Sequence, residues 1–470
     1  MGGYNVQIIL IVVAAYICLT VLLSLWTKKF TGTAARFMTG GRDMGTLVIG
    51  VLLMSEFMGT AATMGTAEAA FAKGISAGWN LTSMFVAFIL FAYLMASRFQ
   101  RLGEYTISGA LASKYGERVQ VMTSVMMIYA LLAVNITMYV GGAATIATLL
   151  GLPIPIAVYI TGAVTMIYVT AGGIKGVAYT NLVHASIKYL GLIITTVVGL
   201  RYCGSLTRLH QSLPPHYFSV TTVGIPTIIA WTIGNIGAVF STQYVIQAIA
   251  SIKDERKAKN ASILAGLLII PIGIMASFIG LAARFAFPAI KGVNAIPVLA
   301  THTSPWWGGL VIAGLVAAVF GTVSAGTLGS TALAMKDFYI PLVKPGEKHK
   351  LIATRILSIV LGLLPIPFAM LMPALLKTIF FARALRTSIS VVAVCMFFLP
   401  FFSSSAGAFW GLLLATIAAT VWFLLGNPFG IDNIYVALIA PLLIMVMDHY
   451  WKRQASGPAG GRQAKGAGAS

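Results

Sequence analysis

Stretches of about twenty mostly apolar residues recur along almost the whole sequence, and no other feature constrains the fold as much. Crossing about 30 Å of hydrocarbon takes about twenty residues of helix, and within the bilayer each backbone N–H and C=O must find its partner inside the protein. The chain has 470 residues, 59% hydrophobic and only 9% charged, against about 25% charged in an ordinary soluble domain. A soluble fold cannot hide that much apolar surface. The expectation is an all-α polytopic membrane protein of about thirteen spans, starting near Val6, Gly45, Gly78, Val119, Pro153, Leu182, Val223, Ser262, Trp307, Ile352, Ala374, Ala406 and Ile434.

The formal charge of +20 raises the question of a nucleic-acid partner. A nucleic-acid binder gathers its basic residues on one soluble face, whereas here they lie in short loops between apolar runs. Alternate loops place twenty-two Lys and Arg on one side and six on the other (Lys73, Arg201, Arg208, Arg284, Lys291, Lys377), with Lys188, Arg383 and Arg386 inside spans. The positive-inside rule then sets the basic side in the cytoplasm, the N-terminus outside and the C-terminus inside, in a cell's inner membrane. Residues 1–454 read as a single transmembrane domain and 455–470, ASGPAGGRQAKGAGAS, as a disordered cytoplasmic tail. The first apolar run is too long for a cleaved signal.

Chemistry-bearing clusters are sparse. Cys18, Cys203 and Cys395 are far apart, and the six histidines contain no i, i+4 helical pair, so neither a disulfide framework nor a metal motif is expected. No cofactor is expected either. Only Glu56 and Glu68 among the eleven acidic residues fall within a span, which disfavours a membrane enzyme. The segment Arg101–Arg118 is too polar to span but has helical spacing, with Tyr105, Ile107, Leu111 and Tyr115 as apolar points, and reads as an interfacial helix.

Two spans are unlike inert ones. The second carries Ser55, Glu56, Gly59, Thr60, Thr63 and Gly65 where leucines would serve, a pattern that implies a broken helix whose freed carbonyls line a cavity. Close packing through small residues accounts for the glycines, but not for Glu56, since an ionisable group at that depth costs at least about 2.5 kcal/mol without a partner. The ninth span carries Thr322, Ser324, Thr327, Ser330 and Thr331 among Gly321, Gly326 and Gly329. Hydroxyls and free carbonyls are the oxygen ligands that a hard cation takes, although a single Ser or Thr commonly bonds back to its own helix.

From here the sequence resembles the sodium:solute symporter family over nearly its whole length. Gly45 to Ser76 looks like the family's first core helix, LGEYTISGALASKYG like the cytoplasmic helix after the second, and NITMYVGGAATIATLLGLP like the third. AGGIKGVAYTNLVHASIK is similar to the signature GG-x-x-x-V-x-x-T-D-x-x-Q through Gly172, Gly173, Val177 and Thr180, with Asn181 for the usual Asp and His184 for the usual Gln. Gln243 and Gln247 match the Gln-x-x-x-Gln segment.

The resemblance implies a leucine-transporter-like core of two five-helix inverted repeats, with one N-terminal and two C-terminal flanking spans. It implies symport by alternating access, with sodium held by the carbonyls of Ser55, Met58 and Ala318 and the hydroxyl of Thr322. The family usually has two successive hydroxyl residues there. Gly321 stands in place of the first, leaving Ser324 or the Glu56 carboxylate to compensate, or a proton to replace sodium.

The solute-binding candidates are Gly59, Thr60 and Thr63 at the break, Trp231 and Asn235 on the seventh span, and Arg383 and Arg386 on the eleventh. An aromatic wall with one amide suits a small polar solute. The arginines, three apart, share a helical face where the family tends to carry small vestibule-lining residues; they suit an anionic solute such as a carboxylate, with snorkelling to the interface as the competing account. A sensor or regulatory subunit on the same fold is the alternative, against which no soluble signalling domain follows the last span.

Overall fold

The computed structural model describes residues 3–27, 33–41, 43–169, 173–369 and 375–455. Lys28, Lys29, Arg42, Gly172, Ala374 and the expected tail beyond 455 lie outside the described residues. Every regular element within them is helical. The helices are α1 (Gly3–Thr27), α2a and α2b (Thr46–Phe57, Thr60–Lys73), α3 (Trp79–Leu94), α4 (Glu117–Leu150), α5 (Ile154–Val169), α6 (Gly173–Cys203), and α7a and α7b (Ile225–Ser241, Gln243–Ala250). They continue with α8 (Glu255–Ala286), α9 (Pro305–Leu333), α10 (Glu347–Leu363), α11 (Leu375–Phe398), α12 (Ser405–Leu424) and α13 (Asn433–Ala455).

Among the described residues ten helices are long and apolar enough to span, and two bent pairs bring the number to twelve. In that count α3 and α10 include the adjoining helical turns at Ile75–Gly78 and Pro365–Phe368, whereas α5, at 16 residues, stands outside it as the thirteenth. Each expected span therefore coincides with one helix or bent pair. Both bent pairs lie where a five-helix repeat begins: α2 turns by 52° between Phe57 and Thr60, and α7 by 45° between Ser241 and Gln243. The first break was legible in the sequence; the second was not.

Burial is uneven, and it locates the working centre. The most hydrophobic windows of α9 and α11 are each 89% buried, whereas those of α1 and α13 are 28% and 22% buried and present their apolar side chains outward. A helix wrapped by other helices can carry polar groups that a lipid-facing helix cannot, and α9 and α11 hold the hydroxyls and arginines noted above.

The expected interfacial helix is the nine-residue Ile107–Tyr115, preceded by a non-helical turn. Its apolar points Ile107, Leu111 and Tyr115 are buried against the bundle. Gln243 on α7b accepts a hydrogen bond from the Ile107 N–H and donates one to the Tyr105 carbonyl, each at 3.0 Å. Asp337, just beyond α9, accepts hydrogen bonds from Ser108, Ser124 and Gln120, and Lys336 pairs with Glu104. This polar latch ties the loop side of the bundle together.

Candidate functional site

The break in α2 leaves backbone groups that the α-helical ladder does not use. Met58 has left helical geometry (φ −92°, ψ 46°), and Gly59 is extended. Neighbouring side chains approach Gly59 closely: an added Cβ would lie 2.4 Å from the Met138 Sδ and 2.7 Å from the Thr322 Oγ. Thr322 donates from α9 to the Glu56 carbonyl at 2.9 Å, tying the break to α9.

Lys188, which the sequence reading counted as intramembrane and gave no role, reaches the same place. It lies fifteen residues on from Gly173 and fifteen short of Cys203, at the midpoint of α6. Its ammonium donates to the Ser55 carbonyl at 2.8 Å and to the Ser55 Oγ at 2.9 Å. Ser55 in turn donates to the Asn181 Oδ1 at 2.6 Å. Lys188 lines a cavity of only about 10 Å³ with Met58, Thr63 and Ala318, no more than the room that one water needs. The signal that could have found Lys188 was the one applied to Glu56, an ionisable residue amid an apolar span.

Of the other expected ion ligands, Ser324 turns back to the Gly321 carbonyl on its own helix at 2.9 Å. Glu56 aims elsewhere. Its side chain is buried, neither carboxylate oxygen has a hydrogen-bond partner, and it lines a second cavity, of about 20 Å³, with Gly59, Met138, Tyr244, Thr322, Arg383 and Arg386.

Both arginines are at most 2% exposed, so they do not snorkel to an interface. Arg383 donates to the Asn80 Oδ1 at 2.8 Å. Arg386 donates to the Ala382 carbonyl at 2.9 Å and, at the α7 break, to the Thr242 Oγ at 3.0 Å. Neither forms an ion pair with a carboxylate among the described residues, although guanidinium burial ordinarily demands one. Asn235 does not face this cavity; it donates to the Asn80 carbonyl at 2.9 Å and to Ser83 at 2.8 Å, bracing the residue that holds Arg383.

Trp231 also lies apart. It stacks on Phe380 with ring centroids 5.2 Å apart and lines a separate pocket of about 150 Å³ with Lys377, Phe423, Asp432 and Asn433. The Arg383 guanidinium rests over the Phe380 ring at 4.4 Å, so Phe380 connects the outer pocket to the arginine cavity. Thr60 donates to the Met138 carbonyl at 3.3 Å and Thr63 to the Gly59 carbonyl at 3.1 Å, both helix-to-helix or local bonds.

The arrangement is thus two facing breaks, one met by a lysine and the other by an arginine, around a closed centre. A family model described as the sodium:solute symporter family matches residues 37–415. The chain belongs to that family. Members with curated descriptions include the uncharacterized symporter YwcA of Bacillus subtilis, 25% identical over 439 residues (87% of this chain, 84% of YwcA), and the sodium/proline symporter of Haemophilus influenzae, 24% identical over 445 residues (88% of each). In fold the chain resembles a solved Na+-coupled sialic acid symporter in a substrate-bound outward-open state, with TM-score 0.82 and 16% identity over 94% of this chain and 97% of that one. It also resembles inward-facing Mhp1, with TM-score 0.57 and 16% identity over 89% and 93%. This sodium:solute symporter family member is a multi-pass inner-membrane protein that couples cation flow to solute uptake, on the inverted-repeat core that the sequence implied.

Proposed function

We propose that the chain takes up a small organic carboxylate by secondary active symport, with Arg383 and Arg386 receiving the carboxylate and Glu56 accepting a hydrogen bond from an amino or hydroxyl group of the same solute. The observation that carries this is the pair of buried guanidiniums without a carboxylate partner on the wall of one cavity. An arginine carries five N–H donors in a planar fork matched to a carboxylate, and the bonds made to Asn80, Ala382, Thr242 and Tyr244 leave most of the ten unengaged. The two unbonded Glu56 oxygens supply the acceptor. Against a cavity of about 20 Å³, any such solute requires the helices to part, which is what alternating access means here. Phe380 and Trp231 form the route by which it enters.

The coupling cation on this reading is sodium, as the family description has it, or a proton. The basic loops support an outside N-terminus and a cytoplasmic C-terminus. The test is thermal stabilisation of the purified chain by carboxylates, amino acids and neutral sugars. Hydroxy or amino acids should raise the melting temperature; sugars should not, and Arg383→Gln should abolish the response. Stabilisation by neutral sugars alone would refute the assignment.

A further inference from the structure

We propose that the start of α12 and the end of α13, which the basic loops set on the cytoplasmic side, form a binding site for the phosphate of an anionic phospholipid of the inner leaflet. The inference lies away from the central cavities and does not rest on the choice of solute or cation.

It starts from a cavity of about 210 Å³ between residues 401–404, the first turn of α12 and the last turns of α13, room for about seven waters at about 30 Å³ each. The polar part of its wall is basic. Lys452 and Arg453 come from the last turn of α13, His449 lies one turn earlier, and Ser404 adds a hydroxyl from the α12 side. Among the described residues no carboxylate lines the cavity; the neighbouring Asp448 lies against Gly407 instead.

The cationic side is held in place. The Lys452 ammonium donates to the Ser404 Oγ and lies 3.5 Å from the Asp448 carboxylate. The Ser404 Oγ also accepts from the Gly407 N–H at 3.1 Å, so the hydroxyl that steadies the lysine is itself fixed to α12. His449 is set against two rings, its centroid 5.7 Å from that of Phe401 and 5.5 Å from that of Phe402.

Orientation in the membrane asks only for basic residues in cytoplasmic loops. It does not ask them to converge on a cavity. The setting of this one is lipid: the most hydrophobic windows of α12 and α13 are only 33% and 22% buried. Around the cavity stand the aromatic side chains typical of a bilayer interface, with Phe401 54%, Tyr450 59% and Trp451 77% exposed. A soluble anion would use the charges alone. A phospholipid uses both features, its phosphate oxygens accepting from Lys452 and Arg453 while its acyl chains lie along the outward apolar faces of the two helices. Basic pockets between spanning helices on the cytoplasmic side suit anionic headgroups, and a choline headgroup would bring a like charge toward the same cations. One lipid bound here ties the start of α12 to the end of α13.

The test is native mass spectrometry of the full chain released from a nonionic detergent, titrated with dioleoyl phosphatidylglycerol, dioleoyl phosphatidylcholine or glycerol 3-phosphate. Phosphatidylglycerol should stay bound at concentrations where phosphatidylcholine does not, and glycerol 3-phosphate should not displace it. Replacing Lys452 and Arg453 together with Gln should raise the half-saturating phosphatidylglycerol concentration about tenfold or more, the scale of two cations at a membrane surface. The same charge loss at the exposed Lys253 and Lys257, between α7b and the first turn of α8, should leave it unchanged. Equal retention of the two lipids, a double variant that binds like wild type, or an equal loss in the Lys253/Lys257 control would each overturn the inference. Glycerol 3-phosphate binding as tightly as the lipid would overturn the lipid assignment in favour of a soluble phosphate. The comparison of lipids on the wild-type chain decides the matter even where a variant does not fold.

Discussion

The two breaks in the core differ in what meets them. At the α2 break a lysine from α6 donates to a main-chain carbonyl; at the α7 break an arginine from α11 donates to the Thr242 hydroxyl and lines a cavity beside it. A primary ammonium is a compact charge that can be removed by deprotonation, whereas a guanidinium stays charged and offers a planar fork. The same architectural element, repeated in inverted form, thus meets a compact ammonium in one place and, in the other, a planar guanidinium of the shape that recognises an anion.

The comparison breaks most decisively at the arginines. Replacing Arg383 and Arg386 together with Gln should raise the half-saturation concentration for a carboxylate solute at least a hundredfold, since each charge-assisted hydrogen bond is worth about 1.5–3 kcal/mol. Concentration-dependent uptake into proteoliposomes measures this. An unchanged affinity would make the arginines structural, and the α7 break no more than a bend.

A smaller effect separates the packing of the two breaks. At Gly237 on α7a an added Cβ would lie 2.6 Å from the Thr387 Cα, so α11 itself would have to move, taking Arg386 with it. At Gly59 the obstacle includes the flexible end of Met138. Gly237→Ala should cost about 1–3 kcal/mol by overpacking, and Gly59→Ala less, in denaturant or thermal unfolding of the two variants side by side. Equal losses would mean that the α2 break is packed as rigidly as α7a.

The smallest change is expected from Thr322→Ala. It removes one neutral hydrogen bond to the Glu56 carbonyl, worth about 1 kcal/mol, and should alter the apparent affinity for the coupling cation about fivefold or less. A loss of several hundredfold would show that the hydroxyl ligates a free ion.

The spans and the first break were legible because they rest on local sequence: run length, and polar residues where leucine would do. The kink at Thr242 was not, because the flanking Ser241 and Gln243 are unremarkable as neighbours; the group that meets the bend is Arg386, reaching from α11. The arginines were picked out from helical spacing, yet only packing shows that they share a cavity with Glu56 rather than an interface with water. Asn235 and Trp231 were named for their chemistry, and both lie beside the cavity in other company, with Asn80 and Phe380. Gly321 was noticed as a missing hydroxyl. In the structure a Cβ there would lie 3.0 Å from the Lys188 Nζ, 133 residues earlier in the chain, a distance that no local pattern spans.

The two ends of the bundle are closed by different chemistry. At the latch, the Asp337 carboxylate is held by two hydroxyls and an amide, and Lys336 by Glu104. At the other end the closure is ring against ring, Trp231 on Phe380 and Phe381 on Phe423. Separating rings exposes apolar surface and raises heat capacity, whereas separating polar groups lowers it. Apolar closure also weakens on cooling. The resting balance between the two accesses should therefore drift with temperature, the aromatic end loosening first in the cold, and a transporter built this way carries a thermal bias in its cycle that neither its solute nor its cation sets.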